Sequence, residues 1–336
     1  MAVYLDHAAT TPILPEVLEA YTEALAVVGN PASVHAAGQG ARRMLEEARE
    51  RLAAALGCDP VEVVLTSGGT ESINTALKGI WWARTAAGAP PRIAAPAAEH
   101  HATVDALAWL AAREGAEIVD VPVDGDARIL PGPLEGALAG GAALATAMWA
   151  NNEVGTVSDV AALAAVAEGH GVPLHIDAVA ALGAIPVDFR ASGAAALSVS
   201  AHKVGGPVGV GALVVGRRTA AEPLLHGGGQ QRGIRSGTQD VAGAVAFGLA
   251  ATLAVERRAA SAARVAALRD ELVRGVRSAI PDAVLRGPEP GPERLPGNAH
   301  FTFPGCDGDS LLFLLDTAGI AVSTGAACQA GVAELS

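Results

Sequence analysis

The sequence has 336 residues and a formal net charge of −12, from 23 Lys and Arg against 35 Asp and Glu. This length allows one large or two medium domains with a real core, and the acidic balance argues against direct binding of nucleic acids. Three widely spaced cysteines, with no evident signal peptide or membrane-length apolar segment, predict a cytoplasmic globular protein without disulfides.

Short apolar segments alternate with longer helical patterns along most of the chain. Strands are predicted at residues 62–66, 92–95, 118–123, 143–149, 173–177, 195–198 and 210–215, and helices at 71–82, 102–113 and 157–168. Strands separated by helices indicate βαβ units, and unbroken apolar runs are typical of parallel strands that are buried on both faces. The sequence therefore predicts an α/β fold with a mostly parallel sheet.

The last third of the chain has a different pattern. Residues 239–279 are almost continuously helical and change from apolar to charged, which predicts a helix that leaves the core and runs along the surface. A loop rich in Pro and Gly follows at 281–297, then a strand at 299–303 and a helix at 308–318. This part of the sequence predicts a second, smaller domain.

Lysine is rare in this chain, because Lys78 and Lys203 are the only two among 23 basic residues. Lys203 follows a predicted strand and lies beside Ser200 and His202. Lysine can lose its proton and form an imine, whereas arginine cannot, so Lys203 is a candidate catalytic residue. The alternative, a surface lysine left by compositional drift, suits Lys78 better, because Lys78 lies at the end of an ordinary predicted helix.

Residues 66–72, Thr-Ser-Gly-Gly-Thr-Glu-Ser, follow a strand and open a helix. The free N–H groups and the helix dipole could bind a phosphate there, although a simple capped turn explains the segment at least as well. Asp177 ends a buried strand at the edge where α/β proteins bind ligands. It could pair with a cationic ring nitrogen, and a helix cap is an equally good interpretation.

Cys328 lies among small residues at 323–331, which favours an exposed and reactive thiol. A buried, inert thiol is the general alternative for a single cysteine. Cys58 precedes Asp-Pro at a helix end and Cys306 lies in a Pro-Gly turn, so both are expected to be less reactive.

These features together fit pyridoxal 5'-phosphate (PLP). The sequence resembles the class V, fold-type I PLP-dependent enzymes and, within them, the cysteine desulfurases of the NifS/IscS kind. The matching segments occur in family order at residues 4–12, 29–33, 67–72, 151–155, 200–203 and 235–238 and around Cys328. The resemblance implies a fold-type I transferase with a large PLP-binding domain at 15–250 and a smaller α+β domain at 1–14 and 251–336.

The resemblance also implies a role for each matching residue. Lys203 would form the Schiff base with the cofactor, His100 would stack on its ring and assist proton transfer, and Asp177 would keep the ring nitrogen protonated. Cys328 would be the nucleophile. The residues implied in binding are Gly69, Thr70, Ser200 and His202 for the phosphate, Thr238 for the phosphate of the neighbouring subunit, Asn30 for the substrate, and Asn152 for both the phenolic oxygen of the cofactor and the substrate carboxylate.

The implied reaction converts L-cysteine to L-alanine and leaves the sulfur on Cys328 as a persulfide. A homodimer would then pass this sulfur to an acceptor protein for iron–sulfur clusters, a thio-cofactor or thiolated tRNA. Ala180 stands where many relatives have a Gln that bonds the phenolic oxygen of PLP. The chain ends eight residues after Cys328, before an arginine that binds the substrate carboxylate in relatives, so weak cysteine binding is expected.

Two alternatives remain beside the desulfurase hypothesis. One is another class V activity, such as a selenocysteine or cystine lyase, which the Cys328 loop disfavours because a lyase needs no mobile nucleophilic cysteine. The other is a degenerate PLP-binding partner protein, which Ala180 and the short C-terminal part favour. No metal site and no membrane association are predicted.

Overall fold

The computed structural model describes residues 3–325. Its strands are β1 (Val3–Tyr4), β2 (Val63–Thr66), β3 (Arg92–Ala95), β4 (Glu117–Asp120), β5 (Leu144–Met148), β6 (Leu174–Asp177), β7 (Ala196–Ser200), β8 (Gly211–Val215), β9 (Val284–Leu285), β10 (Phe301–Thr302) and β11 (Ile320–Ala321). Its helices are α1 (Pro15–Leu25), α2 (Ala36–Leu56), α3 (Gly69–Ala86), α4 (His101–Glu114), α5 (Pro131–Leu138), α6 (Val160–Gly169), α7 (Phe189–Ser192), α8 (Val241–Ala279) and α9 (Gly308–Thr317).

A central sheet of seven strands, in the order β2-β8-β7-β6-β5-β3-β4, dominates the described part of the chain. From β7 to β4 the neighbouring strands are parallel, and β8 is antiparallel to both of its neighbours. Strands β5 to β8 are buried along their whole length. The predicted α/β fold with a mostly parallel sheet is confirmed.

The reversed strand β8 matters for the position of Lys203. An antiparallel return needs no helical crossover, so only residues 201–210 connect β7 to β8, and they begin with a single 3-10 turn at Ala201–Lys203. The short connection therefore holds Lys203 directly beyond the carboxyl end of β7, beside the carboxyl end of β6.

Helices cover both faces of the sheet. One face packs against apolar side chains of α3 and α4, among them Leu77 and Leu110. The other packs against α2, α6 and the first part of α8, including Leu52, Leu163 and Phe247. Burying apolar surface on both faces is what stabilises a parallel sheet of this kind.

Helix α8 follows the predicted course. The Asp240 side chain accepts a hydrogen bond from the Gly243 amide and caps its start. Residues 242–251 are mostly buried, and the charged second half is largely exposed, with Arg269 and Val273 as its buried contacts. No helix within residues 3–325 combines the length and apolarity needed to cross a bilayer.

Several predicted boundaries were wrong for identifiable reasons. The strand predicted at 118–123 ends at Asp120, because Pro122 has no N–H to continue the ladder. The loop predicted at 281–297 contains β9, which pairs antiparallel with β10. Helix α5 was not predicted, since its sequence is rich in Pro and Gly. At the chain's ends, β1 pairs in parallel with β11.

Lys78 does not lie at a helix end, as the sequence suggested. It lies in the interior of α3, with its ammonium 4.3 Å from the centroid of the Trp109 ring on α4. Partial burial lowers the pKa of Lys78. The contact is a cation–π interaction, so Lys78 has a packing role between two helices of one layer.

Candidate active site

The glycine-rich segment after β2 forms an open turn at the start of α3. A Cβ added to Gly211 would lie 2.6 Å from the backbone of Gly68, so the absence of a side chain on β8 lets the turn pack directly on the sheet. Gly68 has φ +151, which a residue with a side chain rarely adopts. The first amides of α3 have no carbonyl of their own helix to bond, as at the start of any helix.

Glu71 fixes the shape of this turn from inside. Its carboxylate accepts one hydrogen bond from the Ser67 amide at 2.7 Å and another from Arg235 Nε at 2.9 Å. Burial raises the pKa of Glu71, but the hydrogen bonds from Arg235 and Ser67 outweigh it and hold the pKa below its ordinary value. An ionised Glu71 thus ties the turn to residue 235, far along the chain.

A cavity of about 220 Å³ opens in front of the turn. Its walls are formed by Ser67, Gly68, Gly69, Thr70, Glu71, Ser200, His202, Val208 and Gly209. Four residues predicted for the phosphate, Gly69, Thr70, Ser200 and His202, are thus brought together from two separate segments of the chain.

Ser200 gives this cavity a chemical signature. The residue is 2% exposed, and its hydroxyl is buried with no hydrogen-bond partner within residues 3–325. Buried hydroxyls are nearly always bonded in folded proteins. The free hydroxyl, the open helix start of α3 and the partly exposed His202 together fit an anionic group such as the phosphate of PLP.

Lys203 is covered by the N-terminal segment of the chain. Its ammonium donates hydrogen bonds to the Ala8 carbonyl and, at 3.0 Å, to the Ala9 carbonyl. Thr11 holds this segment in place, because both its amide and its hydroxyl donate to the His202 carbonyl, at 2.9 and 2.8 Å. Residues 4–12 matched the family motif in the sequence, but no role was predicted for them.

Asp177 is buried at the carboxyl end of β6, and its Oδ1 accepts a hydrogen bond from the Val179 amide at 2.9 Å. Burial raises its pKa to about 6, which the Val179 amide and the positive charge of Lys203 partly oppose. Two residues earlier, His175 bonds Thr146 and Ser198, each at 2.9 Å, across three neighbouring strands. This buried polar contact fixes the strand end that carries Asp177.

His100 caps the start of α4. Its Nδ1 accepts a hydrogen bond from the Ala102 amide at 3.1 Å, so in the neutral ring the proton resides on Nε2. Burial lowers the pKa of His100, and the charge of Lys203 lowers it further. The field of Lys203 also acts on His202 and Asp177, so these four predicted residues share one electrostatic environment.

Glu99 is a buried acid beside this group to which the sequence gave no role. Its Oε1 accepts a hydrogen bond from the Met148 amide at 2.8 Å, at the end of β5. Burial raises the pKa of Glu99 to about 8, and the charge of Asp177 also raises it, against smaller opposing effects of the Met148 amide and the Thr103 hydroxyl. The Thr103 hydroxyl and the second carboxylate oxygen of Glu99, Oε2, are both buried, and neither has a hydrogen-bond partner within residues 3–325. The sequence feature that could have pointed to Glu99 is its position directly before His100, after a predicted strand.

Asn152, Asn30 and Thr238 do not line this cavity. Asn152 lies on the loop after β5, and its neighbour Asn151 donates to the Ala98 carbonyl at 3.1 Å, which places this loop beside the His100 segment. Asn30 is exposed and caps its own turn through the Ala32 amide. Thr238 is exposed. Cys328 lies outside the described residues.

The two described cysteines have contrasting settings. Cys58 is buried, and burial raises the pKa of its thiol to about 12, with the charge of Glu62 next in effect. A thiol of this kind is a poor nucleophile. Cys306 is exposed. The expected low reactivity of Cys58 therefore has a structural basis.

Comparison with known proteins extends these observations. The profile of the family "Aminotransferase class-V" matches residues 3–335. An IscS-like cysteine desulfurase of Mycobacterium tuberculosis is 51% identical over 98% of this chain and 85% of its own length. The solved structure of a NifS-like protein superposes with a TM-score of 0.91 at 36% identity, covering 98% of this chain and 89% of that one. A structure described as SspA in complex with cysteine has a TM-score of 0.82 at 28% identity, over 98% and 90% of the two chains.

Proposed function

The chain belongs to the class-V aminotransferase family, and from this membership we propose that it is a PLP-dependent cysteine desulfurase. It converts L-cysteine to L-alanine and transfers the sulfur to Cys328. The observation that carries this proposal is the group formed by Lys203, Asp177 and His100 beside the cavity at Ser200. The choice of L-cysteine as the substrate rests on the relatives named as cysteine desulfurases.

The cavity supplies the anchor for the cofactor. Gly69 and Thr70 would bind the phosphate with the first amides of α3, and Ser200 and His202 would bind it from the opposite side. PLP, when bound, supplies an electron sink for the electrons released when the α-carbon of the substrate loses a proton. The unbonded hydroxyl of Ser200 would then gain its missing partner.

Three residues near the cofactor site would hold or move protons during the reaction. Asp177, with its pKa at about 6, is mainly ionised at neutral pH and would hold a proton on the ring nitrogen. Lys203, once its amine is free, takes the α-proton of the substrate. His100, whose pKa burial lowers, would be mainly neutral, with its proton on Nε2 because Nδ1 accepts the hydrogen bond from Ala102.

Sulfur transfer is assigned to Cys328. Its thiolate attacks the sulfur of the bound cysteine, an S–S bond forms, and the C–S bond of the substrate breaks. The electron pair of that bond stays with the β-carbon of the substrate, which takes up a proton. Lys203 would return a proton to the α-carbon, and the product would leave as L-alanine. A persulfide remains on Cys328 for an acceptor protein.

The finer parts of the proposal concern partners and organisation. We assign the acceptor to iron–sulfur cluster assembly or to thio-cofactor or tRNA sulfur supply. A homodimer would place the exposed Thr238 at the phosphate of the neighbouring subunit. Residues 15–250 would form the PLP-binding domain, and 1–14 with 251–336 the smaller domain. The strand pair of β1 and β11 supports this grouping of the two ends.

The test is turnover of L-cysteine by the PLP-loaded protein, with L-alanine as the measured product. We expect alanine from the wild type and none above background from Cys328→Ala. Alanine formation that survives in Cys328→Ala would replace the desulfurase by a lyase. A normal cofactor absorption band with no alanine from the wild type would favour a degenerate PLP-binding protein.

A further inference from the structure

Residues 286–300, called here the clamp segment, lie across residues 151–155, the loop that carries Asn152. Three hydrogen bonds join the clamp segment to residues 151–155: Asn298 Nδ2 donates to the Glu153 carbonyl at 2.7 Å, His300 Nδ1 contacts the same carbonyl at 3.2 Å, and the Leu295 amide donates to the Gly155 carbonyl at 2.7 Å. Just beyond the loop, the Val157 amide donates to the Glu293 carbonyl at 2.9 Å. Asn298 and Glu153 are 145 positions apart in the sequence. The clamp segment is therefore a tertiary support for this loop.

The two regions are packed without spare room. Gly155 has φ +78, and a Cβ at this position would lie 2.6 Å from the Asn298 side chain. A Cβ at Gly287 would lie 2.5 Å from the Val154 carbonyl oxygen. Packing this close leaves the loop little freedom to shift relative to the clamp segment.

Arg294 organises the clamp segment from its centre. It is 2% exposed, and its guanidinium donates to the carbonyls of Pro288 and Arg286 and, at 2.7 Å, to Asn298 Oδ1. Arginine can only donate, so this contact fixes which end of the Asn298 amide is the acceptor. The NH₂ group of Asn298 is thereby directed at the Glu153 carbonyl.

The loop is also held from its other side. Asn151 donates to the Ala98 carbonyl at 3.1 Å, and its Oδ1 accepts from the amides of Glu153 and Val154, each at 2.9 Å. Asn152 thus lies between the segment that carries His100 and the clamp segment. Its backbone position depends on both supports.

We propose that Arg294 and Asn298 are positioning residues for substrate recognition, because together they hold the loop 151–155 so that Asn152 is presented to the substrate carboxylate. This inference rests on the proposed function and adds to it a specific dependence of cysteine binding on residues beyond α8. The hydrogen bond from Asn298 to the Glu153 carbonyl is the link through which they act.

The decisive variant is Asn298→Asp, which keeps the size of the side chain and an acceptor for Arg294 but cannot donate to the Glu153 carbonyl. We expect the KM for L-cysteine to rise about tenfold, a change of about 1.4 kcal/mol, with kcat and the cofactor absorption band unchanged. The matched control is Glu293→Gln on the same segment, which breaks an ion pair of 2.8 Å with Arg128 and should leave KM at the wild-type value.

A second measurement separates this inference from the proposed function. Amide hydrogen exchange of residues 153–155 needs no turnover, and we expect it to be about tenfold faster in Asn298→Asp than in Glu293→Gln, equal to about 1.4 kcal/mol of local stability. Unchanged exchange, or a KM within twofold of the wild type in an active Asn298→Asp enzyme, would overturn the positioning role. Absence of alanine from the wild type would instead refute the proposed function.

Discussion

Burial and the charge of Lys203 together influence the charge states around this lysine. Burial lowers the pKa of His100 and of His202, and the positive charge of Lys203 lowers both further; at Asp177 burial raises the pKa, and the Val179 amide and Lys203 partly oppose it. The neutral histidines and the ionised aspartate are the protonation states that the proposed reaction requires at neutral pH. In the proposed function, Lys203 would thus supply the reactive amine and also contribute to the local electrostatic field.

The reactive amine can be tested because the chain has only two lysines. Lys203→Arg keeps the positive charge but removes the group that forms an imine. We expect it to abolish the visible absorption band of the covalently linked cofactor and to reduce alanine formation to background. The control is Lys78→Arg, which should keep the band. A band that persists in Lys203→Arg and disappears in Lys78→Arg would show that the wrong lysine was assigned.

Glu99 gives a prediction of pH-dependent stability. Its ordinary pKa is 4.5, and burial, followed by the charge of Asp177, raises it to about 8 in the folded protein. Between these two values the unfolded chain loses the proton of Glu99 while the folded protein keeps it. The unfolded state is therefore favoured more and more as the pH rises through this window, and the effect is complete above it.

We expect Glu99→Gln to remove this pH dependence, because the amide oxygen can still accept the hydrogen bond from Met148. In urea unfolding, the midpoint concentration of Glu99→Gln minus that of the wild type should be larger at pH 8 than at pH 5. Glu19→Gln, at an exposed position on α1, is the control with no such gain. Equal pH dependence of the wild type and Glu99→Gln would disprove a protonated Glu99.

At the scale of elements, the site is made by the carboxyl ends of strands and the loops that follow them. The turn after β2, the end of β6 and the short return from β7 to β8 each deliver residues to one edge of the sheet. On β7, Ser198 bonds His175 whereas Ser200 has no partner within residues 3–325. One strand thus carries a structural serine and a candidate binding serine two positions apart.

Replacing each of these two serines by alanine should have different effects on stability and on PLP binding. Ser200→Ala removes a buried hydroxyl without a partner, so the stability of the cofactor-free protein should be equal to or above that of the wild type. The dissociation constant for PLP, followed by absorbance, should rise about tenfold (~1.4 kcal/mol). Ser198→Ala should lower stability and leave PLP binding unchanged. Equal PLP affinity of Ser200→Ala and the wild type would remove Ser200 from the phosphate site.

Local signals predicted all seven strands of the central sheet, strand β10 and the helices α3, α4, α6, α8 and α9. The helices α1, α2, α5 and α7 and the short strands β1, β9 and β11 were not predicted. The strand at Arg92–Ala95 was predicted to the residue, because a buried parallel strand has an unbroken apolar run. Helix α5 and strand β9 lack such patterns and depend on their tertiary neighbours. Lys203 and Asp177 could be proposed from their positions after strands. Arg294 could not, because its role depends on contacts with residues that no short-range pattern connects to it.

At the scale of the whole molecule, two segments that are far apart in the sequence contact the candidate site. The N-terminal segment covers Lys203 through the carbonyls of Ala8 and Ala9. The clamp segment supports the loop with Asn152 from the opposite part of the sequence. In the proposed function, the sheet edge would carry the residues of the reaction, and these two segments would border the substrate.

The central claim is that sulfur leaves the substrate by way of Cys328. The most direct measurement is the mass of the peptide that contains Cys328 after the PLP-loaded protein reacts with L-cysteine in the absence of reductant, together with the amount of alanine formed. The account predicts that this peptide becomes heavier by one sulfur atom and that one alanine is released for each peptide modified. Alanine release with an unmodified Cys328 peptide would contradict it.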